Sequence, residues 1–168
     1  EEVRLLEDME AGHFRIRLGS GETVSARSIV LACGARYRRL NIANLSDFEG
    51  SCVHYWASAI ESKLCAGQEV ILTGAGNSAG QATVFLAGKV KKLWMIVRGK
   101  DLETTMSQYL IDRIRALPNV EVLVRHEICG LEGGEECLRG VRVRNRDTGE
   151  ESGCEAGHVF SFIGADPN

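Results

Sequence analysis

The sequence has no long apolar run, no large excess of one charge and no pair of closely spaced cysteines. Its apolar runs extend over only a handful of residues, so we expect no transmembrane helix. The formal net charge is −3 with the two signs interleaved, which argues against nucleic acid or an anionic membrane as a partner. Residues 1–4 have neither the basic nor the apolar region of a signal peptide, which favours a cytoplasmic location.

The cysteines form no Cys-x-x-Cys motif and have no zinc-ligand spacing with a histidine. We therefore predict no metal site. Without a signal peptide, free thiols packed as small hydrophobic residues are favoured over disulfides. The six cysteines are Cys33, Cys52, Cys65, Cys129, Cys137 and Cys154.

The composition is that of a soluble globular protein, with 44% hydrophobic and 26% charged residues. A length of 168 residues allows one domain, or one domain with part of another.

The first 35 residues predict a small antiparallel meander. Alternating apolar residues indicate two short strands within residues 3–18, and a third opens at Thr23–Val24. The nearly continuous apolar run Ser28–Ala32 predicts a strand buried on both faces. It ends at Cys33–Ala35, where Gly34 would let the backbone approach a ligand closely. Residues 36–50 are predicted to be a linker, and a helix is expected at about Ala57–Leu64 after a short extended piece.

The clearest segment is a strand–turn–helix–strand unit. Glu69–Thr73 and Leu93–Val97 predict strands, with the glycine-rich turn Gly74–Ala79 and a helix between them. The apolar side of this helix is predicted to contain Ala79, Ala82, Phe85 and Leu86.

A second helix is predicted to begin at Thr105, whose spacing to Gln108 suits a capping box, and to stop at Pro118. Its apolar face is Met106, Leu110, Ile114 and Leu117. Further strands are expected at Val120–Val124 and His158–Ile163, with an antiparallel set between them that turns near Gly133–Gly134 and Asp147–Gly149.

Together these segments predict an α/β fold. We expect a three-layer Rossmann-like NAD(P)-binding domain over residues 46–165. The antiparallel strands expected after Val124 would cover one side of its parallel sheet. Residues 1–45 would be a strand-rich part of another domain, and residues 166–168 the start of a linker back to it.

The motif Gly74-x-Gly76-x-x-Ala79 carries the strongest functional signal. The first glycine permits a tight strand-to-helix turn, the second lets the backbone approach a pyrophosphate, and the small third residue allows close helix packing. The phosphates would then rest on the N–H groups at the helix start, around Asn77–Ala79.

The end of the second strand predicts which nucleotide binds. An NAD site usually has an acidic residue there, whereas this sequence has Arg98 and Lys100. Cations at this position suit the 2′-phosphate of NADP(H), although both could simply be solvated surface charges. No residue qualifies as a general acid or base, and the histidines are interpreted as structural or solvated. They are His13, His54, His126 and His158.

These segments resemble the thioredoxin reductase family of FAD-dependent pyridine nucleotide-disulfide oxidoreductases. Thr73–Gln81 is similar to the family's NADPH-binding turn, and Ala32–Ala35 to a segment that lies against the flavin nucleotide. Phe160–Gly164 resembles the strand that leads out of the NADPH domain. The resemblance implies that residues 1–45 are part of an FAD-binding domain, to which residues 166–168 lead back, and that FAD contacts Ala32, Cys33 and Gly34 in the intact protein. The residues predicted to bind NADP(H) are Gly74, Ala75, Gly76, Asn77, Ser78, Ala79, Arg98, Lys100 and Gly164.

The sequence departs from the family in three places. Trp56–Ala59 stands where the family has its redox Cys-x-x-Cys, so dithiol chemistry is not expected, and Cys52 and Cys65 are poor substitutes. Only Arg98 matches the family's two arginines after the second strand. The glycine-rich FAD motif and the Gly-Asp segment are not present, so we expect weak FAD binding or none. Tyr55 and Trp56 could pack near the flavin, but core packing is favoured.

The resemblance implies the central part of a flavoprotein enzyme that transfers hydride from NADPH to FAD and then to a non-dithiol acceptor, either a protein or a small molecule. The chain alone is expected to be inactive, and the intact protein to be a homodimer. Two alternatives stay open. One is a true thioredoxin reductase whose disulfide lies elsewhere, and the other is a non-catalytic NADP(H) sensor.

Overall fold

The computed structural model describes residues 1–9, 12–134 and 137–168, without the side chain of Cys137. The contacts divide the chain into two units, Glu1–Ala35 with Pro167–Asn168, and Arg36–Asp166. The strands in chain order are β1 (Val3–Met9), β2 (His13–Leu18), β3 (Thr23–Ala26), β4 (Ala35–Tyr37), β5 (Val53–His54), β6 (Glu69–Thr73), β7 (Lys92–Val97), β8 (Val120–Val124), β9 (His126–Gly134), β10 (Cys137–Asn145), β11 (Glu151–Glu155), β12 (His158–Ser161) and β13 (Ala165–Pro167). The helices are α1 (Ala59–Leu64), α2 (Asn77–Ala87) and α3 (Gln108–Arg115), and a 3-10 turn spans Leu45–Asp47.

The first unit contains the predicted meander. Strands β1, β2 and β3 form an antiparallel sheet in that order, with Leu6 opposite Ile16 and Ile16 opposite Val24. The three strand predictions are therefore confirmed.

The predicted strand at Ser28–Ala32 is wrong for this structure, because that segment has no regular secondary structure. Val30 and Leu31 are 88% and 75% exposed instead of buried. A doubly buried strand needs neighbours on both sides. Among the described residues no strand pairs with this segment, so its apolar side chains remain in solvent.

The second unit is built on a five-stranded parallel sheet in the order β5-β12-β6-β7-β8. The predicted strands Glu69–Thr73, Leu93–Val97 and Val120–Val124 are confirmed. The strand predicted at His158–Ile163 is found as β12, which stops at Ser161, two residues before the predicted end. Strand β4 pairs with β13 in a separate two-stranded ladder.

Helices α1 and α2 follow from local sequence. Ser58 caps α1 in a reciprocal box with Glu61, so the helix begins two residues after the predicted Ala57. In α2 the buried positions include Ala79, Ala82, Thr83 and Leu86. Phe85 was predicted on this face but is 42% exposed, because it lies about 100° around the helix from Leu86.

The predicted start of the next helix is wrong. Helix α3 begins at Gln108 after the cap residue Ser107, and the expected capping box is not formed. The Thr105 hydroxyl instead donates to the carbonyl oxygen of Ala75 at 2.7 Å, a tertiary contact that local spacing did not indicate. Of the predicted apolar face, Met106, Leu110 and Ile114 are buried, whereas Leu117 is only partly buried and lies beyond the helix end at Arg115.

Two hydrophobic cores give the unit its three layers. One lies between the sheet and helices α2 and α3, and contains Leu72, Leu86 and Met95. The other lies between the sheet and the antiparallel strands β9, β10 and β11, where Ile71 and Val141 pack. The predicted three-layer α/β architecture, with antiparallel strands covering one side of the parallel sheet, is therefore confirmed.

Residues 36–50 are not the simple linker that was expected. Leu45 and Phe48 are buried in the core between the parallel sheet and strands β9–β11, because the 3-10 turn brings these isolated apolar residues to the sheet. Of the two predicted turns, Asp147–Gly149 is confirmed. Gly133–Gly134 end strand β9, and the residues that follow them, 135–136, lie outside the described residues.

Candidate functional site

The carboxyl ends of strands β6, β7 and β12 form a cleft of about 610 Å³, which we call the glycine cleft. Parallel strands end at the same edge of a sheet, so segments that are distant in sequence meet there. Its walls come from Thr73–Gly76, Arg98–Asp101, Thr104–Thr105 and Phe162–Gly164, together with Ile96. The predicted residues Gly74, Ala75, Gly76, Arg98, Lys100 and Gly164 are thus brought together.

The two glycines of the turn differ in their surroundings. Gly74 has a φ of +139°, and a Cβ at that position would lie 2.4 Å from the carbonyl oxygen of Phe162. Only glycine fits there. A Cβ on Gly76 would meet no atom within 4 Å. The turn therefore needs Gly74 for folding, whereas Gly76 leaves the backbone open toward the space outside the turn.

The start of α2 presents unused backbone donors. Gly76 is its N-cap and provides no side-chain cap, so the first N–H groups of the helix are available to an anion. The side chain of Asn77 points to the next helix, where its Oδ1 accepts from the Ser107 N–H and hydroxyl at 2.8 Å each. Asn77, Ser78 and Ala79 line a second cavity that shares Gly76, Phe162 and Gly164 with the glycine cleft.

The charged side chains of the cleft are mostly exposed. Among the described residues, the Arg98 guanidinium has no ion pair, whereas Lys100 lies 3.8 Å from the Asp101 carboxylate. The Asp101 carboxylate accepts hydrogen bonds from the Thr104 hydroxyl and N–H at 2.7 and 3.2 Å. These bonds, that of the hydroxyl first, lower the pKa of Asp101, so the cleft contains a stable negative charge beside two cations.

The second cavity, of about 650 Å³, is lined by aromatic rings, and we call it the aromatic cavity. Tyr37 stacks on Tyr55 with ring centroids 5.8 Å apart, and Trp56 lies tilted 6.1 Å from Tyr37. Phe85 completes the wall. Trp56 is 52% exposed, so its expected packing in the core is not found.

Two carboxylates hold these rings in place. Glu61 accepts a hydrogen bond from the Trp56 indole at 3.0 Å and also bonds Ser58, and these bonds, the Ser58 hydroxyl first, lower its pKa to about 2. Glu49 accepts from the Tyr55 hydroxyl and from Arg39, and the bond to Arg39 lowers the pKa of Glu49. Both carboxylates therefore stay ionised and fix the aromatic wall.

Ser161, at the end of β12, also lines the aromatic cavity. It is 2% exposed, and among the described residues its hydroxyl has no hydrogen-bond partner. Buried hydroxyl groups nearly always have one. This residue, like Tyr37 and Phe85 as cavity-lining rings, was not singled out from the sequence, where no signal marks a buried serine as unpartnered.

The histidines line neither cavity. His54 and His158 form a buried pair on neighbouring strands, with Nε2 of the first 3.0 Å from Nδ1 of the second. Burial, and secondarily His158, lowers the pKa of His54 to about 4, and burial also lowers that of His158. Both rings are therefore neutral near pH 7, and both are buried in the second unit.

The residues expected to contact flavin lie in the first unit. Ala32, Cys33 and Gly34 are exposed, and the Cys33 carbonyl oxygen accepts from the Asn168 side-chain amide at 3.0 Å. Gly34 has a φ of +72°, a conformation that favours glycine.

The predicted free thiols are confirmed for the five cysteines whose side chains are described, of which Cys52, Cys65 and Cys154 are buried. Within the described ranges, no group of three or more His, Cys, Asp or Glu residues could hold a metal ion. None of the described helices has both the length and the hydrophobicity needed to cross a bilayer.

Comparison with known proteins places this geometry in a family. Residues 2–168 match the family model "Pyridine nucleotide-disulphide oxidoreductase". An NADH dehydrogenase of Bacillus subtilis is 30% identical over 155 residues, covering 92% of this chain and 30% of the relative. A thioredoxin reductase of Mycolicibacterium smegmatis is 30% identical over 166 residues, covering 96% of this chain and 52% of the relative.

Among solved structures, thioredoxin reductase from Giardia duodenalis superimposes with a TM-score of 0.80 and 23% identity, and the match covers 99% of this chain and 53% of that one. The chain thus spans about half the length of the two thioredoxin reductases and about a third of the NADH dehydrogenase. The likeness to the solved structure establishes the fold, and the match over residues 2–168 establishes the family. The chain belongs to the pyridine nucleotide-disulphide oxidoreductase family.

Proposed function

We propose that this chain is the NADP(H)-binding part of a thioredoxin-reductase-like flavoprotein that transfers hydride from NADPH to FAD. The observation that carries the proposal is the glycine cleft. There a turn that only Gly74 can make lies beside the open face of Gly76 and the exposed cation Arg98. The Gly74–Ala79 turn would hold the pyrophosphate, and Arg98 and Lys100 would bind the 2′-phosphate. Gly164 would form the far wall of the site.

FAD would complete the active protein by passing the electrons of the hydride to an acceptor. The proposed contacts Ala32, Cys33 and Gly34 follow directly on the exposed Val30 and Leu31. An apolar segment that is this exposed supports pairing with further strands in a longer flavoprotein. We expect that protein to be cytoplasmic and, as the family resemblance implies, to be a homodimer.

The acceptor is proposed to be something other than a dithiol. Trp56–Ala59 contains no cysteine, and the two nearest thiols, Cys52 and Cys65, are buried and unpaired. Neither thiol can therefore exchange electrons at the surface without local opening of the fold.

NADH is a second candidate nucleotide, and one feature favours it. The Asp101 carboxylate lies in the glycine cleft, where it could accept hydrogen bonds from ribose hydroxyls and would repel a 2′-phosphate. A relative named NADH dehydrogenase is consistent with this choice. The balance between Arg98 and Asp101 would decide between the two nucleotides.

The test is titration of the 168-residue chain with NADPH and with NADH, followed by nucleotide fluorescence. We expect NADPH to bind more tightly, and Arg98→Ala to weaken NADPH about 10-fold or more while changing NADH little, since a charge-assisted contact to phosphate is lost. Arg113→Ala is the matched control, because Arg113 is an exposed cation in the last turn of α3 and does not line the cleft. A preference for NADH that Asp101→Asn removes would favour the second candidate.

The two glycines supply an independent control on folding. Gly76→Ala should fold normally, because its Cβ would meet no other atom within 4 Å. It should bind nucleotide less well, because that Cβ would occupy the open space proposed for the pyrophosphate. Gly74→Ala should lose about 3 kcal/mol of stability from backbone strain and the clash with Phe162. If Gly76→Ala bound both nucleotides like the unmodified chain, the turn would not be the pyrophosphate site.

A further inference from the structure

We propose that Arg125 and Arg146 are positioning residues for nucleotide selection, because they fix the backbone of the loop that carries Arg98 and Lys100. The proposal rests on the proposed function for its ligand. Neither Arg125 nor Arg146 lines the glycine cleft, so both act through Arg98 and not by touching the nucleotide.

The loop Arg98–Asp101, which we call the cation loop, follows strand β7 and has a glycine between its two cations. Glycine has the widest choice of backbone conformations, so Gly99 loses more conformational entropy on ordering than any other residue type would. A loop of this composition needs contacts from outside to hold the Arg98 side chain in one direction.

Two backbone acceptors of the cation loop are held by residues that flank strands β9 and β10. The carbonyl oxygen of Gly99 accepts from the N–H of Arg125 at 2.8 Å, and the carbonyl oxygen of Arg98 accepts from Nη1 of Arg146 at 3.2 Å. Each bond orients one planar peptide unit, so the peptide planes on both sides of Gly99 are fixed. The direction in which the Arg98 side chain leaves the backbone is fixed with them.

Arg125 presents its N–H to the loop from an uncommon backbone conformation. It is the single residue between strands β8 and β9, and its φ of +57° lies in the left-handed region that residues other than glycine seldom adopt. Its guanidinium pairs with Asp147 at 2.7 Å, and its carbonyl oxygen accepts from the N–H of Arg146 at 2.8 Å. Such a conformation persists only where surrounding contacts over-determine it. Here it directs the Arg125 N–H to Gly99.

Arg146 joins these contacts into one network. Its N–H bonds Arg125, its side chain bonds Arg98, and its guanidinium also pairs with Glu127 at 3.5 Å. A loop that is ordered before binding loses less entropy when the ligand arrives. Of the two nucleotides, only NADPH carries the 2′-phosphate that Arg98 is proposed to bind. Loss of this order should therefore weaken NADPH and leave NADH nearly unchanged.

The experiment measures the dissociation constants of NADPH and NADH for the 168-residue chain by nucleotide fluorescence, and the readout is their ratio. Arg146→Ala should weaken NADPH about fivefold and NADH less than about twofold, the usual size for one lost hydrogen bond. Arg142→Ala is the matched control, since both arginine side chains are 50% exposed but those of Arg142 pair with Glu132 and Glu151 and not with the cation loop. A merely structural role would weaken both nucleotides alike.

Two variants of Arg125 separate its backbone from its side chain. Arg125→Gly and Arg125→Val both remove the ion pair with Asp147. Glycine adopts the left-handed conformation freely, whereas a β-branched residue strongly disfavours it. Arg125→Gly should therefore retain the preference for NADPH, and Arg125→Val should reduce it about as much as Arg146→Ala does. Equal preferences in the two variants would contradict the role of the Arg125 backbone.

A double-mutant cycle tests whether Arg146 acts through Arg98. In the Arg98→Ala background, Arg146→Ala should change NADPH binding by less than about twofold. The same loss in both backgrounds, or equal losses for the two nucleotides, would overturn the proposal. If Arg98→Ala weakens NADPH but Arg146→Ala does not, the proposed function stands and this inference fails. If the unmodified chain binds neither nucleotide, both fail.

Discussion

The buried pair His54 and His158 should make the second unit sensitive to mild acid. The bond between Nε2 and Nδ1 needs one ring nitrogen to donate and the other to accept, so it cannot survive protonation of both rings. The charged groups nearest to His54 are His158 and Glu61, and the attraction of Glu61 is smaller than the effect of burial.

The expected loss of stability in acid follows from the pKa of His54. Folding lowers it from 6.5 to about 4, and at about 1.4 kcal/mol per unit this amounts to about 3 kcal/mol. The unfolded chain binds the proton first as the pH falls. The stability is therefore full above pH 6.5, declines between pH 6.5 and 4, and changes no further below that through this group. About 2 kcal/mol should already be lost at about pH 5.

The assay is urea unfolding followed by tryptophan fluorescence at about pH 7.5 and about pH 5. Both tryptophans, Trp56 and Trp94, lie in the second unit, so the signal reports that unit. Between these two pH values the free energy of unfolding of His54→Gln should fall by about 2 kcal/mol less than that of the unmodified chain. His158 continues to titrate in both chains. His13→Gln is the control, since His13 is exposed in the first unit. The same loss of stability in all three chains would refute the reasoning.

Two further predictions concern packing and thiol access. A Cβ on Gly80 would lie 2.8 Å from Sδ of Met106, so Gly80→Ala should destabilise the chain by about 1–2 kcal/mol. Adding Met106→Ala should then cost less than it does alone, which a double-mutant cycle measured by urea unfolding would show. Brief maleimide labelling under native conditions, mapped by mass spectrometry, should modify Cys33 well before the buried Cys65 and Cys154, since burial also raises the pKa of those two thiols. Rapid labelling of Cys65 would show that the core opens locally.

Much of the second unit can be predicted from local sequence. The apolar run Glu69–Thr73, the glycines that follow and the spacing of Ala79, Ala82 and Leu86 determine a strand, a turn and a helix almost without tertiary information. The position of Arg98 in the cleft was also predictable, because parallel strands end at one edge of the sheet.

Predictions failed where a neighbour distant in sequence decides the outcome. The run Ser28–Ala32 has the composition of a buried strand, but burial requires partner strands, and among the described residues no strand pairs with it. Thr105 has the spacing of a helix cap, but its hydroxyl bonds Ala75, 30 residues earlier. In the sequence, Leu45 and Phe48 resemble isolated apolar residues in a linker. In the structure they are buried in the core between the parallel sheet and strands β9–β11.

The sequence by itself determined the periodic elements and the glycine turn, because both depend on side-chain spacing and backbone conformation within a few residues. Only the tertiary structure decided which groups share a cavity. It placed three aromatic rings around one space, paired His54 with His158 across 104 residues, and left the Ser161 hydroxyl buried with no partner among the described residues. Such contacts depend on strand order and layer packing, which arise from the sum of many weak long-range interactions and not from any one stretch of chain.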